Sequence, residues 1–202
     1  MKLYKVILAS IGVTMLLGAL VSSASARNFE VSNQRTRGIF TNVEFHLPGA
    51  TTRCALTLEG SMHNRTMAKV AGSLIGYVTR ADLGACTAGT ATILTTTLPW
   101  HVRYSGFQGT LPEINSVITH IIGASWRVRE AEGIACLSRS STGEPVIGNF
   151  HREIRTRELT SGEIRGTIRT GIECLGISGS FRSDRGAESV SNAATRITVN
   201  LI

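Results

Sequence analysis

The residues best able to do chemistry in this chain are its four cysteines, Cys54, Cys86, Cys136 and Cys174. No two of them have the C-x-x-C spacing of a zinc or redox site, and no histidine lies three to five residues from a cysteine or from another histidine. We therefore predict no metal site and no cofactor. The N-terminal pattern described below predicts export, and an even number of cysteines in an exported protein is typical of disulfides. Two disulfide bonds are therefore expected.

Four cysteines can pair in three ways. We favour the sequential pairing, Cys54–Cys86 with Cys136–Cys174, in which each loop would stabilise the fold by about 3–4 kcal/mol. The nested pairing, Cys54–Cys174 with Cys86–Cys136, and four buried free thiols remain open at this point.

The chain lacks a sequence motif for acid–base or nucleophilic catalysis. Of its acidic residues only two are aspartates, and most glutamates lie beside arginines, which is typical of solvated strand faces. Ser178 lacks the second glycine of a G-x-S-x-G nucleophile motif. We expect a non-catalytic protein. The alternative is a secreted hydrolase whose site is assembled from distant residues such as His101 or His120.

One short segment carries the candidate binding residues. Trp100 and Tyr104 alternate with His101 and Arg103, so two large aromatic side chains share one strand face and two polar side chains share the other. With Trp126, these side chains could line a pocket for a small apolar ligand. The simpler interpretation is that the aromatic residues are core residues of a protein with few aromatics.

The charge balance gives a second binding signal. The chain has 21 Lys+Arg against 14 Asp+Glu, a formal charge of +7. Arg152, Arg155 and Arg157 lie close together and could bind an anionic component of the cell envelope. Glutamates interrupt this group, whereas nucleic-acid-binding proteins usually carry a stronger basic stripe, so no nucleic-acid partner is expected.

Residues 1–26 have the pattern of a secretory signal peptide. Lys2 and Lys5 precede an uncharged, mostly apolar run of 16 residues from Val6 to Val21, and cleavage is expected after Ala26. An uncleaved N-terminal anchor is the alternative. No later run reaches about 18 apolar residues, so we predict no membrane span in the mature chain and a secreted location. Residues 27–202 would form a single domain, in which the polar segment 27–37 is compatible with a loose terminus.

The mature sequence reads almost entirely as strands. Apolar and polar residues alternate with a period of two, and turn residues separate the runs at intervals of about 8–15 residues. We predict an all-β fold, a single antiparallel sandwich or distorted barrel of about 8–10 strands. Only Gly60–Lys69 is compatible with a helix. The predicted strand segments are Cys54–Glu59, Val70–Thr79, Thr90–Thr97, Leu98–Ser105, Val117–Ile122, Ser125–Arg129, Glu163–Cys174 and Thr195–Leu201.

The stretch from Cys54 to Trp126 resembles a group of small exported bacterial proteins of unassigned activity. It shares with them paired cysteines, a Cys54-x-Leu-Thr-x-Glu-Gly segment and a Leu98-Pro99-Trp100 step after Cys86. It is also distantly similar to the exported alkane-oxidation activator proteins, which are of comparable size and rich in strands. The resemblance implies export and a β-rich fold, and it assigns no catalytic residue.

Three function classes follow. The first is a non-catalytic secreted or cell-surface protein with a binding or structural role. The second is a carrier of a small apolar ligand in a barrel cavity, near Trp100, Tyr104 and Trp126. The third is the hydrolase without a motif described above.

Overall fold

A computed structural model of the chain describes residues 28–47, 50–129, 135–169, 178–183, 191–192 and 195–202. The predicted signal peptide and Cys174 lie outside these residues. The all-β prediction is confirmed, and one short 3-10 turn at Thr95–Thr97 is the exception among the described residues. The strands are β1 (Asn28–Val31), β2 (Arg35–Leu47), β3 (Ala50–Met62), β4 (Thr66–Ala68), β5 (Leu74–Cys86), β6 (Thr90–Ile93), β7 (Trp100–Thr110), β8 (Glu113–Ile122), β9 (Ser125–Arg129), β10 (Ala135–Arg139), β11 (Val146–Arg152), β12 (Leu159–Arg169), β13 (Ser178–Ser183), β14 (Ser191–Asn192), β15 (Thr195–Arg196) and β16 (Val199–Leu201).

The largest sheet closes on itself as a barrel of eight antiparallel strands in the order β2-β3-β5-β7-β8-β11-β12-β13. The closing pair is β13 with β2, in which Ser180–Ser183 runs opposite Val43–His46. The other half of β2 pairs with β14 through Arg37 and Ser191. Barrel neighbours follow one another along the chain, which is the up-and-down arrangement.

A small three-stranded sheet covers each end of the barrel. At one end, which we call the lid, β4, β1 and β16 pack Phe29, Met67 and Val199 onto the barrel interior. At the other end, which we call the base, β6, β9 and β10 pack Trp126 and Val128 onto the interior. The protein therefore has a barrel core closed by a separate apolar cluster at each end.

The period of two decides which side chains enter the barrel. In β12, Ile164 and Ile168 are buried, whereas Arg165 and Thr167 between them are exposed, as the alternation predicted. In β3, Cys54, Leu56 and Leu58 are buried in the same way. Burying alternate apolar side chains supplies the main stabilisation of such a sheet.

Three expectations about local structure are wrong. The predicted strand Thr90–Thr97 ends at Ile93, and a 3-10 turn forms at Thr95–Thr97 instead. Gly60–Lys69 contains the end of β3 and all of β4, and it forms no helix. The predicted strand at Val70–Thr79 begins only at Leu74, because a turn with Gly72 at a φ of +84° precedes it. Val70 is consequently 62 % exposed instead of facing the core. Residues 28–37 of the polar segment are also better ordered than their composition suggests, since they contain β1 with the fully buried Phe29.

Cys54 and Cys86 form a disulfide between the paired strands β3 and β5. This is the first bridge of the sequential pairing, and it excludes the nested one. Cys136 on β10 is disulfide-bonded as well. Structural disulfides are rare in a reducing cytosol, so the Cys54–Cys86 bond indicates an oxidising compartment.

Candidate functional site: an apolar cavity inside the barrel

The lid end of the barrel contains a cavity of about 80 Å³. Its wall is formed by inward-facing residues of the barrel strands and by residues of the lid and of the segment before β16. Fifteen of these 22 residues have aliphatic, aromatic or methionine side chains, and the other seven are glycine or polar residues. The lining residues are Val31, Asn33, Thr36, Gly38, Phe40, Leu58, Glu59, Gly60, Ser61, Met62, Met67, Ile75, Tyr77, Val78, Val102, Val117, Thr119, Ile121, Phe150, Leu159, Ile197 and Val199.

The cavity reaches towards the surface on the side formed by β2 and the end of β3. Lining residues Gly38, Gly60 and Met62 are only half-buried there. Position 60 requires glycine, because the backbone of Tyr77 on β5 comes too close for any Cβ.

One polar side chain lies deep in the cavity wall. Thr119 on β8 is 3 % exposed, and its hydroxyl has no hydrogen-bond partner among the described residues. The other polar lining residues, such as Thr36, Ser61 and Tyr77, are half-buried and belong to the rim. The cavity is therefore an apolar chamber with a single buried hydroxyl.

A second, smaller cavity of about 30 Å³ lies at the base end. Leu58 and Ile121 line both cavities, so these two side chains form the partition between them. Trp100 and Trp126 line the smaller one. The Trp100 indole donates a hydrogen bond to Thr97 Oγ1 at 2.8 Å, whereas Trp126 Nε1 has no partner among the described residues.

The five binding residues suggested by the sequence do not form one site. Trp100 and Trp126 meet at the base cavity, but Tyr104 packs in the lid cluster with its ring 5.6 Å from that of Phe29. His101 is exposed, and Arg103 donates to the Gly72 carbonyl oxygen at 3.4 Å. Both polar residues follow the outward phase of β7, so they cannot line the interior that Trp100 faces.

The three arginines of the predicted basic patch, Arg152, Arg155 and Arg157, do not share one exposed surface. Arg152 is buried, and its guanidinium donates to the carbonyl oxygens of Val199 at 2.8 Å and of Ile114 at 3.1 Å. Burial lowers the pKa of Arg152, and the nearby charge of Arg157 adds to the effect. Arg152 thus fastens the lid strand β16 to the barrel strand β8, and only Arg155 and Arg157 remain exposed. A different group of exposed arginines, Arg127, Arg129 and Arg139, lies on the outer face of the base.

A buried carboxylate links β2 to its two neighbours, β3 and β13, at the pair of strands that closes the barrel. Glu44 on β2 accepts from Arg53 Nε on β3 at 2.7 Å and lies 3.4 Å from Arg182 Nε on β13. His46 Nε2 is 3.1 Å from the same carboxylate, and His46 Nδ1 is 3.1 Å from Thr51 Oγ1. This hydroxyl–imidazole–carboxylate row was not predicted from the sequence. It resembles a catalytic triad in composition only, because Thr51 lines neither cavity and two arginines already engage Glu44.

The contacts of Glu44 between β2, β3 and β13 lead us to predict a loss of stability in acid. The hydrogen bond from Arg53 is the largest cause that lowers the pKa of Glu44 from its ordinary value of 4.5. Because the folded pKa is depressed, the stabilisation is fully present above about pH 4.5 and is lost as the pH falls through the folded pKa. We expect Glu44→Gln to lower the free energy of unfolding at pH 7, and to lower it by less at pH 3, where part of the stabilisation is already lost. Urea unfolding of both proteins at the two pH values measures this, and an equal separation at both would contradict it.

The two histidines considered for a hydrolase, His101 and His120, lie on the outward phase of their strands. His120 lies half-buried on the outward phase of β8, and burial lowers the pKa of its imidazole. Within the described ranges, neither His101 nor His120 has a carboxylate or hydroxyl partner, although His101 does contact the Tyr77 ring at 5.3 Å. In those same ranges, no group of three His, Cys, Asp or Glu side chains could hold a metal ion. No helix found there is long and apolar enough to cross a bilayer.

Comparison with known proteins gives no match to a protein-family model, to a curated protein or to a solved structure. The resemblance to small exported bacterial proteins therefore stays a prediction.

Proposed function

We propose that this protein is a non-catalytic binding protein that holds a small apolar molecule in the cavity at the lid end of its barrel. The cavity is the observation that carries the proposal. We further propose that the chain is exported through the predicted signal peptide and works outside the cytoplasm, to which the Cys54–Cys86 disulfide lends support.

The chemistry of the wall supports an apolar ligand. A well-packed interior leaves few voids larger than a water molecule, so a chamber of about 80 Å³ is a feature that needs an explanation. Apolar cavities of roughly 150 Å³ stay dry and bind molecules such as benzene. A cavity about half that size encloses about three carbon atoms, and the rest of a longer chain would extend towards β2 and the end of β3.

Two methionines support some variation in ligand length. Met62 and Met67 line the cavity from β3 and from the lid strand β4. Methionine is unbranched and has several rotatable bonds, so its side chain can move to accommodate ligands of different shape. The rest of the wall is held by the strands of the closed barrel and is less adaptable.

A homologous series of 1-alkanols tests the proposal. Each methylene that enters the cavity contributes about 0.8 kcal/mol, so the affinity should rise about fourfold per carbon and then level off when the cavity is full. We expect Val78→Phe to abolish this rise, because the added ring would occupy the cavity that Val78 lines. Isothermal titration calorimetry with methanol to hexanol measures both effects.

Val70→Phe is the matched control, since the same substitution is made at an exposed valine. It should leave the series unchanged. If Val78→Phe does not fold, Val117→Phe places the ring in the same cavity from β8. An affinity that does not change with chain length, or that survives in both cavity variants, would refute the proposed function.

A further inference from the structure

The single buried hydroxyl of the lid-end cavity carries information about the ligand. Thr119 lies at the centre of the barrel wall, where its strand pairs it with Tyr104 on one side and with Gly148 on the other. It shares the inward phase of β8 with the apolar residues Val117 and Ile121. Of the three described β8 residues that line the cavity, Thr119 is polar and the other two are apolar.

Gly148 shows where the hydroxyl points. A Cβ added to Gly148 would lie on the inward side of β11 and only 2.8 Å from Thr119 Oγ1. The hydroxyl therefore occupies the space over Gly148 on the inner surface of the barrel. Gly148 has no side chain, but the ring of Phe150 on the same strand also lies against this space, 2.9 Å from the same added Cβ, so the ring must turn aside for a ligand oxygen to reach the hydroxyl.

A hydroxyl in this position is unfavourable unless it has a partner. Valine has nearly the same shape as threonine and would fit an apolar wall without the cost of burying an unpaired polar group. A hydrogen bond to a ligand would remove that cost and would fix the ligand's orientation.

The charges near the cavity restrict the ligand further. No positively charged side chain lines the cavity among the described residues, and the one carboxylate in the wall, Glu59, pairs with Arg37 at 3.4 Å. A buried carboxylate on the ligand would have no cation to compensate it. A neutral oxygen needs only the hydroxyl.

We infer that the ligand is a short apolar molecule with one neutral hydrogen-bonding oxygen, such as an alcohol, aldehyde or ketone, and that Thr119 binds this oxygen. This inference rests on the proposed function, and it goes further by naming the ligand class and the residue that recognises it.

The pair n-hexane and 2-hexanone tests the inference, because both have a six-carbon chain and only the ketone carries oxygen. Binding to the wild-type protein and to Thr119→Val is followed by NMR titration. We expect Thr119→Val to weaken 2-hexanone about tenfold and to change n-hexane less than about twofold. Thr119→Ser keeps the hydroxyl and should retain the preference for the ketone.

The outcomes separate this inference from the proposed function. If neither compound binds the wild-type protein, the proposed function fails. If n-hexane binds but Thr119→Val leaves the preference for 2-hexanone unchanged, only the assignment of Thr119 fails. If Thr119→Val does not fold, Thr119→Ala against Thr119→Ser makes the same comparison, and equal ketone affinity in those two variants would overturn the inference.

Discussion

Replacing Phe29 with alanine is expected to lower the free energy of unfolding by about 3–5 kcal/mol. Phe29 is the central side chain of the lid, with 0 % of its surface exposed. Its ring lies 5.6 Å from that of Tyr104 and 6.4 Å from that of Phe107, both on β7. Removing the ring would leave a void between lid and barrel that these side chains cannot fill.

Urea unfolding at pH 7 measures this loss. Phe29→Leu is the control, because it keeps most of the apolar volume and should cost less than about half as much. We also expect Phe29→Ala to alter ligand binding, since the neighbouring lid residue Val31 lines the cavity. A loss below about 1 kcal/mol would mean that the lid does not pack on the barrel as described.

Removing the Cys54–Cys86 disulfide is expected to cost about 3–4 kcal/mol. The bond closes a loop with a sequence separation of 32 residues, and cross-linking such a loop mainly reduces the entropy of the unfolded chain. The double variant Cys54→Ala/Cys86→Ala removes the bond and little else, because both side chains are small. Its denaturant dependence of unfolding should also become steeper, since the unfolded chain exposes more surface.

The comparison is made under non-reducing conditions, so that the disulfide bond of Cys136 stays intact. The cavity lies away from this bond at the lid end, and we expect the variant to bind 1-alkanols as the wild type does once it is folded. An unchanged free energy of unfolding would contradict the loop-closure argument.

Much of the fold was predictable because a half-buried strand leaves a clear pattern. The alternation in Cys54–Glu59 and in Glu163–Arg169 gave the correct strands and the correct buried faces. The closure of the barrel was not predictable, because it joins β2 to β13. Glu44 and Arg182 are 138 residues apart, and no local pattern records that they meet.

The errors have identifiable physical causes. At Val70–Thr79 the alternation continues through a turn, so the sequence pattern could not distinguish the exposed Val70 from the buried Val78. Arg152 carries a charge, which suggests exposure, yet two carbonyl oxygens compensate its burial. Such compensation depends on the lid strand β16, which lies far away in the sequence.

The lid-end cavity does not lie where the sequence analysis placed the candidate binding residues. An apolar ligand inside a barrel was one of the alternatives, but the sequence directed attention to Trp100 and Tyr104. These residues share a strand face but belong to clusters at opposite ends, because β7 runs from the base towards the lid. A better signal was Thr119, a polar residue at the inward phase of the apolar run Val117–Ile122.

Native mass spectrometry of the protein purified from the cells that make it tests the central claim most directly. We predict a bound small molecule, neutral and mostly hydrocarbon with one oxygen, that is present on the wild-type protein and absent from Val78→Phe. A wild-type protein that carries no such mass, and that takes up neither 2-hexanone nor n-hexane when they are added, would contradict the claim that the barrel is built to hold a ligand.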